Sequence, residues 1–322
     1  KFLKGDKKVE GLVYKENGKI IDNGKGRIIE DLDELPFPAF DLLPMDRYFK
    51  ISKGFISLIT SRGCPYNCLF CAKEIGGYKY RIRSAKKVVE DIKKIVEDYN
   101  PHFIYFCDDI FTLDRKRTKD LCRLIIKNDI SVFWGCETRV DAVDEEIIRL
   151  MKKANCRSIA LGIESGSQKI IDYLNKRFSI EKVKEITKLI KKYDIDVHYF
   201  IIISSKIEDW DDIEKTKELI KEMKPDGLTV NIFTPLPGTK VYEDLKDRII
   251  DKSIVETDYE QKISFRHNIF SEEDVLKIRD ELKRLHKNNK RKNFLKNIFL
   301  HPIKTIGKGY KLLKYKKYLN NI

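Results

Sequence analysis

The chain has 322 residues, with 65 Lys and Arg against 51 Asp and Glu, a formal net charge of +14. Thirteen of the basic residues and none of the acidic ones lie in residues 282–322, so the rest is nearly neutral, which argues against a general nucleic-acid binder. The seven cysteines are irregularly scattered, no signal peptide is evident and no stretch reaches about 18 apolar residues. Composition therefore predicts a cytoplasmic protein with reduced thiols and no transmembrane span.

The first elements in chain order are a hairpin and a connector. Residues 10–22 place an Asn-Gly turn between two apolar runs, which is a strong hairpin signal. Residues 29–44 contain three prolines within nine positions. Because proline removes a backbone donor and restricts the preceding residue, we expect an extended connector rather than a helix here.

Three cysteines, Cys64, Cys68 and Cys71, follow a predicted strand at residues 55–60. Three thiolates hold three irons of a four-iron cluster, whereas clusters that only carry electrons usually have four protein ligands. A structural zinc site would need a fourth Cys or His at short spacing, and the nearest His is His102. A disulfide would leave one odd thiol. The spacing therefore favours a [4Fe–4S] cluster whose open iron is completed by a small molecule.

Beyond the cysteines, apolar β-branched runs alternate with amphipathic stretches, which predicts βαβ units and an α/β fold with a parallel sheet. Six units fit a partial (β/α)6 TIM-like barrel. An open doubly wound sheet is the alternative, but no Gly-x-Gly-x-x-Gly follows the first strand. The predicted strands are residues 55–60, 102–108, 132–137, 158–164, 197–203 and 228–233. The predicted helices are residues 85–99, 115–128, 145–155, 180–193 and 211–223.

Charged and polar side chains follow several of these strands, at the end where parallel barrels gather their chemistry. Burying such groups is costly without a partner, so we assign them to a site. Asp114 is the exception, because its position just before a predicted helix indicates an N-cap. The site residues predicted in this way are Asp108, Glu137, Arg139 and Glu164.

The Cys-x3-Cys-x2-Cys spacing, with Phe70 just before the third cysteine, resembles the signature of the radical S-adenosylmethionine (SAM) superfamily. The resemblance implies a partial barrel, a [4Fe–4S] cluster on the three cysteines, and SAM chelating the open iron. It also implies one-electron cleavage of SAM to methionine and a 5′-deoxyadenosyl radical that abstracts a substrate hydrogen. A flavodoxin- or ferredoxin-type donor would supply the electron. The cofactors carry the chemistry, while the protein supplies placement and water exclusion.

The same resemblance implies SAM-binding roles for individual residues. Phe70 would pack beside the adenine, Asp108 would face the amino group, and Glu164 with Ser165 would lie near the ribose and methionine end. Glu137 is placed among the cofactor-binding residues as well.

Arg139 would hold the SAM carboxylate as a bidentate fork. Its alternative is an ion pair with Glu137 or Asp141. Two loops bear on the same site. Many relatives carry a Gly/Pro-rich turn after the fifth strand, and residues 204–209 lack those glycines, whereas residues 233–239 keep a Pro/Gly turn. Residues that would reach the substrate, or else lie on the surface, are Tyr66, Lys73 and Tyr80.

The connector is similar to the segment that joins a cobalamin-binding domain to the barrel in one subgroup of the superfamily. That subgroup includes cobalamin-dependent methylases, the oxygen-independent cyclase of bacteriochlorophyll synthesis and lipid-modifying enzymes. About 50 residues precede the barrel, too few for a doubly wound domain. The subgroup's Asp-x-His-x-x-Gly motif is absent, and His198 is expected to be a core or barrel-lining residue rather than a ligand. We therefore expect a chain truncated at its N-terminus, with a linker (1–50), a barrel (51–245) and a basic helical extension (246–322).

The extension from residue 282 onward is both basic and apolar. An anionic lipid surface, another domain, RNA or bulk solvent are the possible surroundings for it. A break is expected at His301-Pro302. Among the remaining cysteines, Cys122 and Cys156 are expected to be buried, and Cys107 and Cys136 to face the cavity.

The pattern favours an enzyme that abstracts hydrogen from a small-molecule or lipid substrate, with methylation or cyclisation as the outcome and cobalamin as a further cofactor of a longer protein. Two alternatives remain at this point. One is a non-catalytic iron–sulfur redox sensor, and the other is a radical SAM enzyme that modifies RNA. Fold alone does not choose among substrates.

Overall fold

The computed structural model describes residues 5–72, 77–250, 260 and 262–300, with side chains described as far as Asn289. The strands, in chain order, are β1 (Val13–Glu16), β2 (Lys19–Asp22), β3 (Phe55–Leu58), β4 (Ser61–Arg62), β5 (Arg81–Ile82), β6 (Phe103–Phe106), β7 (Phe133–Thr138), β8 (Cys156–Glu164), β9 (Asp196–Ile203) and β10 (Gly227–Ile232). The helices are α1 (Met45–Ser52), α2 (Ala85–Tyr99), α3 (Arg115–Lys127), α4 (Glu145–Lys153), α5 (Gln168–Tyr173), α6 (Ile180–Lys192), α7 (Trp210–Met223), α8 (Lys240–Leu245) and α9 (Glu272–Leu300).

Six parallel strands form one curled sheet in the order β3-β6-β7-β8-β9-β10. Their spatial order follows their chain order, which confirms the predicted half-barrel. A doubly wound sheet would reverse direction at a switch point, and this sheet does not. The predicted strands and helices agree with the observed ones to within two residues at each end.

The two faces of the sheet differ because side chains alternate along each strand. One face is dry and packed beneath the helices, with Trp134 and Tyr199 fully buried. The opposite, concave face carries Tyr105, Glu137 and His198, which are only partly buried. The prediction that His198 lines the barrel is confirmed, and its Nε2 lies 2.8 Å from the hydroxyl of Thr229.

Four helices begin with a side-chain cap, and one of these caps, Asp114, is expected from the sequence. Ser84, Asp114, Asp144 and Ser179 each accept a hydrogen bond from the backbone N–H three residues later. Such caps satisfy N–H groups that have no partner inside the helix. The prediction that Asp114 caps its helix is confirmed, with 2.8 Å from its Oδ1 to the N of Arg117.

The N-terminal segment forms the predicted hairpin, in which β1 pairs with β2. The connector is less extended than expected, because it makes 3₁₀ turns at Leu32–Glu34 and Phe40–Leu42 before α1 begins. Pro44 precedes the first helical residue of α1, where a missing N–H costs nothing. No helix is predicted at this place from the sequence, and α1 begins directly after the last proline of the connector.

A buried arginine attaches the connector to the barrel. The Arg83 Nη1 donates to the carbonyl oxygens of Leu32 (2.7 Å) and Leu35 (2.9 Å). Its other edge forms a two-point ion pair with Asp91 of α2, at 2.6 and 3.1 Å. Both side chains are almost inaccessible, so each charge depends on the other.

Helix α9 packs against α7, β9 and β10 and closes the far side of the sheet. Its inward residues Val275, Ile278 and Leu282 are buried in the core. The expected basic extension therefore begins with a core residue rather than with solvated chain. His301-Pro302 lies outside the described residues. Within those ranges, every helix is too short or too polar to cross a bilayer.

We expect Asp91→Asn to lower the free energy of unfolding by about 3–5 kcal/mol, because it leaves the buried guanidinium of Arg83 without a counter-charge. The matched control is Asp98→Asn, which removes the exposed ion pair with Lys94 and should change stability little. Urea denaturation monitored by circular dichroism measures both. Equal losses in the two variants would contradict the role given to Arg83.

Candidate functional site

The cysteine loop leaves the sheet directly after β3 and is closed at its base by a small ladder. Strands β4 and β5 pair there in antiparallel register. Inside the ladder, the N of Cys64 donates to the carbonyl oxygen of Gly77 at 3.2 Å. Gly63 has a φ of +83°, in the left-handed region that favours glycine, so the chain turns sharply just before the first thiol.

All seven cysteines are free of disulfides, and the loop thiols are the accessible ones together with Cys107. Cys64, Cys68 and Cys71 bring three disulfide-free thiols together within eight residues of one loop. A four-iron cluster places each thiolate on a different iron, so three protein ligands leave the fourth iron open. The donor set therefore fits three irons of such a cluster.

An acidic cluster elsewhere among the described residues has carboxylate oxygens within 4.8 Å of one another, close enough for a single metal ion. It consists of Asp209, Asp211 and Asp212 at the start of α7. Lys169 pairs with two of these carboxylates and Lys215 with the third. Each carboxylate of the cluster thus has a lysine partner, and Asp209 also caps the helix.

The cysteine loop is docked on the chain that follows β8. The N of Leu69 donates to the carbonyl oxygen of Leu174 at 3.1 Å, and the Asn175 side chain donates to the carbonyl oxygen of Asn67 at 2.6 Å. Phe70 packs partly buried on a small apolar cluster that includes Leu174. Asn175 could not be predicted as a site residue, because its contact joins segments about a hundred residues apart.

Arg139 lies against the same loop. Its Nε and Nη2 each donate to one oxygen of Asp141 at 2.9 Å, so the alternative ion pair with Asp141 is present. Its Nη1 lies 3.7 Å from the Sγ of Cys68. The guanidinium carbon lies 3.7 Å from the centre of the Tyr66 ring, within the range of a cation–π contact.

Glu164 ends β8 beside a lysine that sequence reasoning missed. The Lys176 Nζ donates to Glu164 Oε1 at 2.7 Å, and both side chains are nearly inaccessible. Glu164 also has a φ of +70°, at a register shift in β8. Strained backbone of this kind persists where the surroundings over-determine it, often at functional sites.

Ser165 is buried and committed to protein partners. Its Oγ lies 3.2 Å from the Thr216 hydroxyl on α7 and accepts a hydrogen bond from the N of Ser167. Next to it, a Cβ on Gly166 would stand 2.5 Å from the carbonyl oxygen of Lys215. This close approach explains the glycine. The polar atoms of Ser165 therefore fix the end of β8 against α7.

Asp108 is fully buried and holds the exit of β3. Its carboxylate accepts hydrogen bonds from the N and hydroxyl of Thr60, both at 3.0 Å, and from the Ser61 hydroxyl. Burial raises the pKa of Asp108, although these donors and the Arg117 charge act in the opposite direction.

Glu137 accepts a hydrogen bond from the Tyr105 hydroxyl at 3.2 Å, and burial raises the pKa of both groups. Both lie on the concave face. Because residues alternate along β7, Cys136 points to the opposite side and is fully buried in the core. The prediction that Cys136 faces the cavity is therefore wrong. Cys122 and Cys156 are buried as expected.

The loop after β9, residues 204–209, folds without glycine. Ser204 has a φ of +65°, a conformation usually left to glycine. Glu208 is buried, and its Oε2 accepts a hydrogen bond from the N of Ser205 at 3.1 Å. Burial raises the pKa of Glu208 to about 8. The His267 ring, whose Nδ1 accepts backbone N–H groups, donates from Nε2 to the carbonyl oxygen of Ser205.

We expect the stability of the native protein to fall relative to a Glu208→Gln variant as the pH rises from about 4.5 to about 8. The folded state keeps the proton on Glu208 in this window, while the unfolded chain releases it. The difference in unfolding free energy should change by up to about 1.4 kcal/mol per pH unit. Urea titrations at several pH values measure it, and parallel stability curves would refute it.

Comparison with known proteins identifies this arrangement. The model of the Radical SAM superfamily matches residues 58–220. An uncharacterized methyltransferase of Pyrococcus horikoshii is 34% identical over 242 residues, covering 75% of this chain and 52% of that protein. The anaerobic magnesium-protoporphyrin IX monomethyl ester cyclase of Rubrivivax gelatinosus is 30% identical, covering 77% and 46%. The chain thus spans about half the length of these curated relatives.

Solved structures agree on the fold. OxsB, a cobalamin-dependent SAM radical enzyme solved with aqua-cobalamin and SAM bound, aligns with a TM-score of 0.59 at 21% identity, covering 76% of this chain and 36% of that one. The methyltransferase TsrM of Kitasatospora setae, with cobalamin and a [4Fe–4S] cluster bound, gives 0.57 at 16% identity, covering 63% and 41%. With the family match spanning half of the chain and including its three-cysteine loop, this protein belongs to the radical SAM superfamily, whose cofactors are a [4Fe–4S] cluster and SAM.

Proposed function

We propose that this chain is the barrel of a cobalamin-associated radical SAM enzyme that cleaves SAM at a [4Fe–4S] cluster held by Cys64, Cys68 and Cys71. The observation that carries the proposal is the loop of three accessible, disulfide-free thiols at the carboxyl edge of a half-barrel. A three-thiolate set leaves one iron open for a small molecule. The curated relatives, a methyltransferase and a cyclase by name, support methylation or cyclisation as the overall reaction.

The residues of this chain bind, orient and exclude water. When bound, the reduced cluster would pass one electron to SAM, and cleavage of SAM to methionine would supply the 5′-deoxyadenosyl radical that abstracts hydrogen. The ladder of β4 and β5 fixes where the thiolates stand, and the contacts of Asn175 and Leu174 hold the loop over the sheet. The apolar helix-facing core keeps water from the outer side. The concave face of the six-stranded sheet carries partly accessible polar side chains, among them Tyr105, Glu137 and His198, so we place the substrate there.

Two kinds of role follow for the predicted SAM residues. Phe70 and Glu164 flank Lys176, whose Nζ lies 5.8 Å from the centre of the Phe70 ring, and we propose that both contact SAM together with Glu137. The side chains of Asp108 and Ser165 are hydrogen-bonded to other protein groups. They are proposed as positioning residues that fix the strand ends beside SAM.

The whole protein would combine this barrel with a linker, an extension and further partners. Residues 51–245 form its barrel, 1–50 its linker, and 246–322 a basic helical extension. Within that extension, residues 282–322 contact a membrane surface from the cytoplasm. The substrate is a small metabolite, tetrapyrrole or lipid, and a flavodoxin- or ferredoxin-type protein supplies the electron. Cobalamin is a further cofactor. Support for cobalamin comes from two structural neighbours that were solved with it.

We expect the anaerobically reconstituted protein to form 5′-deoxyadenosine from SAM and dithionite. A variant with Cys64, Cys68 and Cys71 all changed to Ala should form none and lose its cluster iron, because no thiolate remains to hold it. Cys107→Ala is the matched control, since it removes an accessible thiol outside the loop.

Liquid chromatography of the nucleoside and an iron assay measure the two outcomes. Iron retained by the triple-Ala variant would contradict ligation by the loop. A fully loaded native cluster that gives no nucleoside above the background of the triple-Ala variant would contradict SAM cleavage.

A further inference from the structure

We propose that Arg139 is a positioning residue that donates a hydrogen bond to the cluster ligand Cys68 and thereby sets the reduction potential of the cluster. This inference rests on the proposed function, because it takes Cys68 as an iron ligand. The observations that support it are the hydrogen bonds of the Arg139 guanidinium.

The guanidinium has little capacity left for SAM. Arginine has five N–H donors in a fixed fork. The edge made of Nε and Nη2 is filled by Asp141 in a two-point contact. The second N–H of Nη2 goes to the carbonyl oxygen of Lys176, and Nη1 points at the Sγ of Cys68. At most one N–H on Nη1 remains, so a second bidentate carboxylate, as expected for SAM, has no free edge.

The guanidinium is also held rigidly. The Arg139 side chain is only 5% exposed. The Tyr66 ring covers it at 3.7 Å, and the Phe178 ring lies 5.4 Å away. Tyr66 stands between Cys64 and Cys68 in the sequence, so the residue that stacks on the guanidinium belongs to the cysteine loop itself. Away from water, a hydrogen bond is electrostatically stronger than in solvent.

A donor at this position favours the reduced cluster. One-electron reduction adds negative charge to the irons and their sulfurs, and an N–H···S bond stabilises that charge. Hydrogen bonds to the sulfurs are among the factors that set iron–sulfur potentials. Asp141 offsets the full charge of Arg139, so the directed N–H carries the effect more than the net charge does. Loss of Arg139 should therefore make reduction harder.

The test is a potentiometric titration of the reconstituted protein without SAM, followed by the electron paramagnetic resonance (EPR) signal of the reduced cluster. For Arg139→Gln we expect the reduction equilibrium to shift about tenfold toward the oxidised form, or about 59 mV to lower potential. Arg139→Lys, which keeps the charge but loses the planar fork, should also shift it downward. The matched control is Arg157→Gln. It removes an arginine that stacks on Phe133 at 4.5 Å on the sheet, and it should leave the potential unchanged.

Iron content is measured for every variant, and Arg139→Lys is used if Arg139→Gln fails to load. A loaded Arg139 variant with the native potential overturns the inference. An unchanged potential together with a weakened effect of SAM on the EPR signal overturns it in favour of the SAM-carboxylate role. A native chain that takes up no four-iron cluster would instead overturn the proposed function.

Discussion

The site depends on how the chain leaves the first barrel strand. At Thr60 and Ser61 the backbone must turn from a buried parallel strand into an accessible loop, and the buried carboxylate of Asp108 collects the donors at that turn. Arg117 reaches the same point. Its Nη2 donates to the carbonyl oxygen of Thr60 at 3.3 Å, and its Nε donates to the carbonyl oxygen of Arg83. An unpaired carboxylate at this depth would be very costly, so the turn and the carboxylate stabilise each other.

From that turn, the cysteine loop is held on three sides by interactions of different kinds. The β4–β5 ladder fixes its base, backbone and amide hydrogen bonds attach it to the chain after β8, and Arg139 covers its middle. Each contact is made by backbone or by a planar side chain and fixes the course of the loop on the barrel. This kind of rigid support is what a reactive cofactor needs from its protein.

Much of this fold could be read from the sequence because the signals are local. Helix α2 begins and ends where its apolar spacing predicts. The three loop cysteines lie within eight residues of one another. The prediction for Cys136 was wrong because successive residues of a strand point to opposite faces, and Cys136 lies on the buried face. The partners that complete the site could not be predicted, since Arg139 with Cys68 and Asn175 with Asn67 join distant segments. Lys176 lies closer to Glu164, but it reaches that carboxylate only because the chain after β8 turns back.

The most direct test of a cluster with one open iron is the EPR spectrum of the reduced, reconstituted protein before and after SAM is added. We expect about four irons per chain and a spectrum that SAM changes, because a three-thiolate cluster leaves one iron open to a new ligand. A spectrum that SAM leaves unchanged, or a cluster-free protein that binds one zinc ion instead, would contradict it.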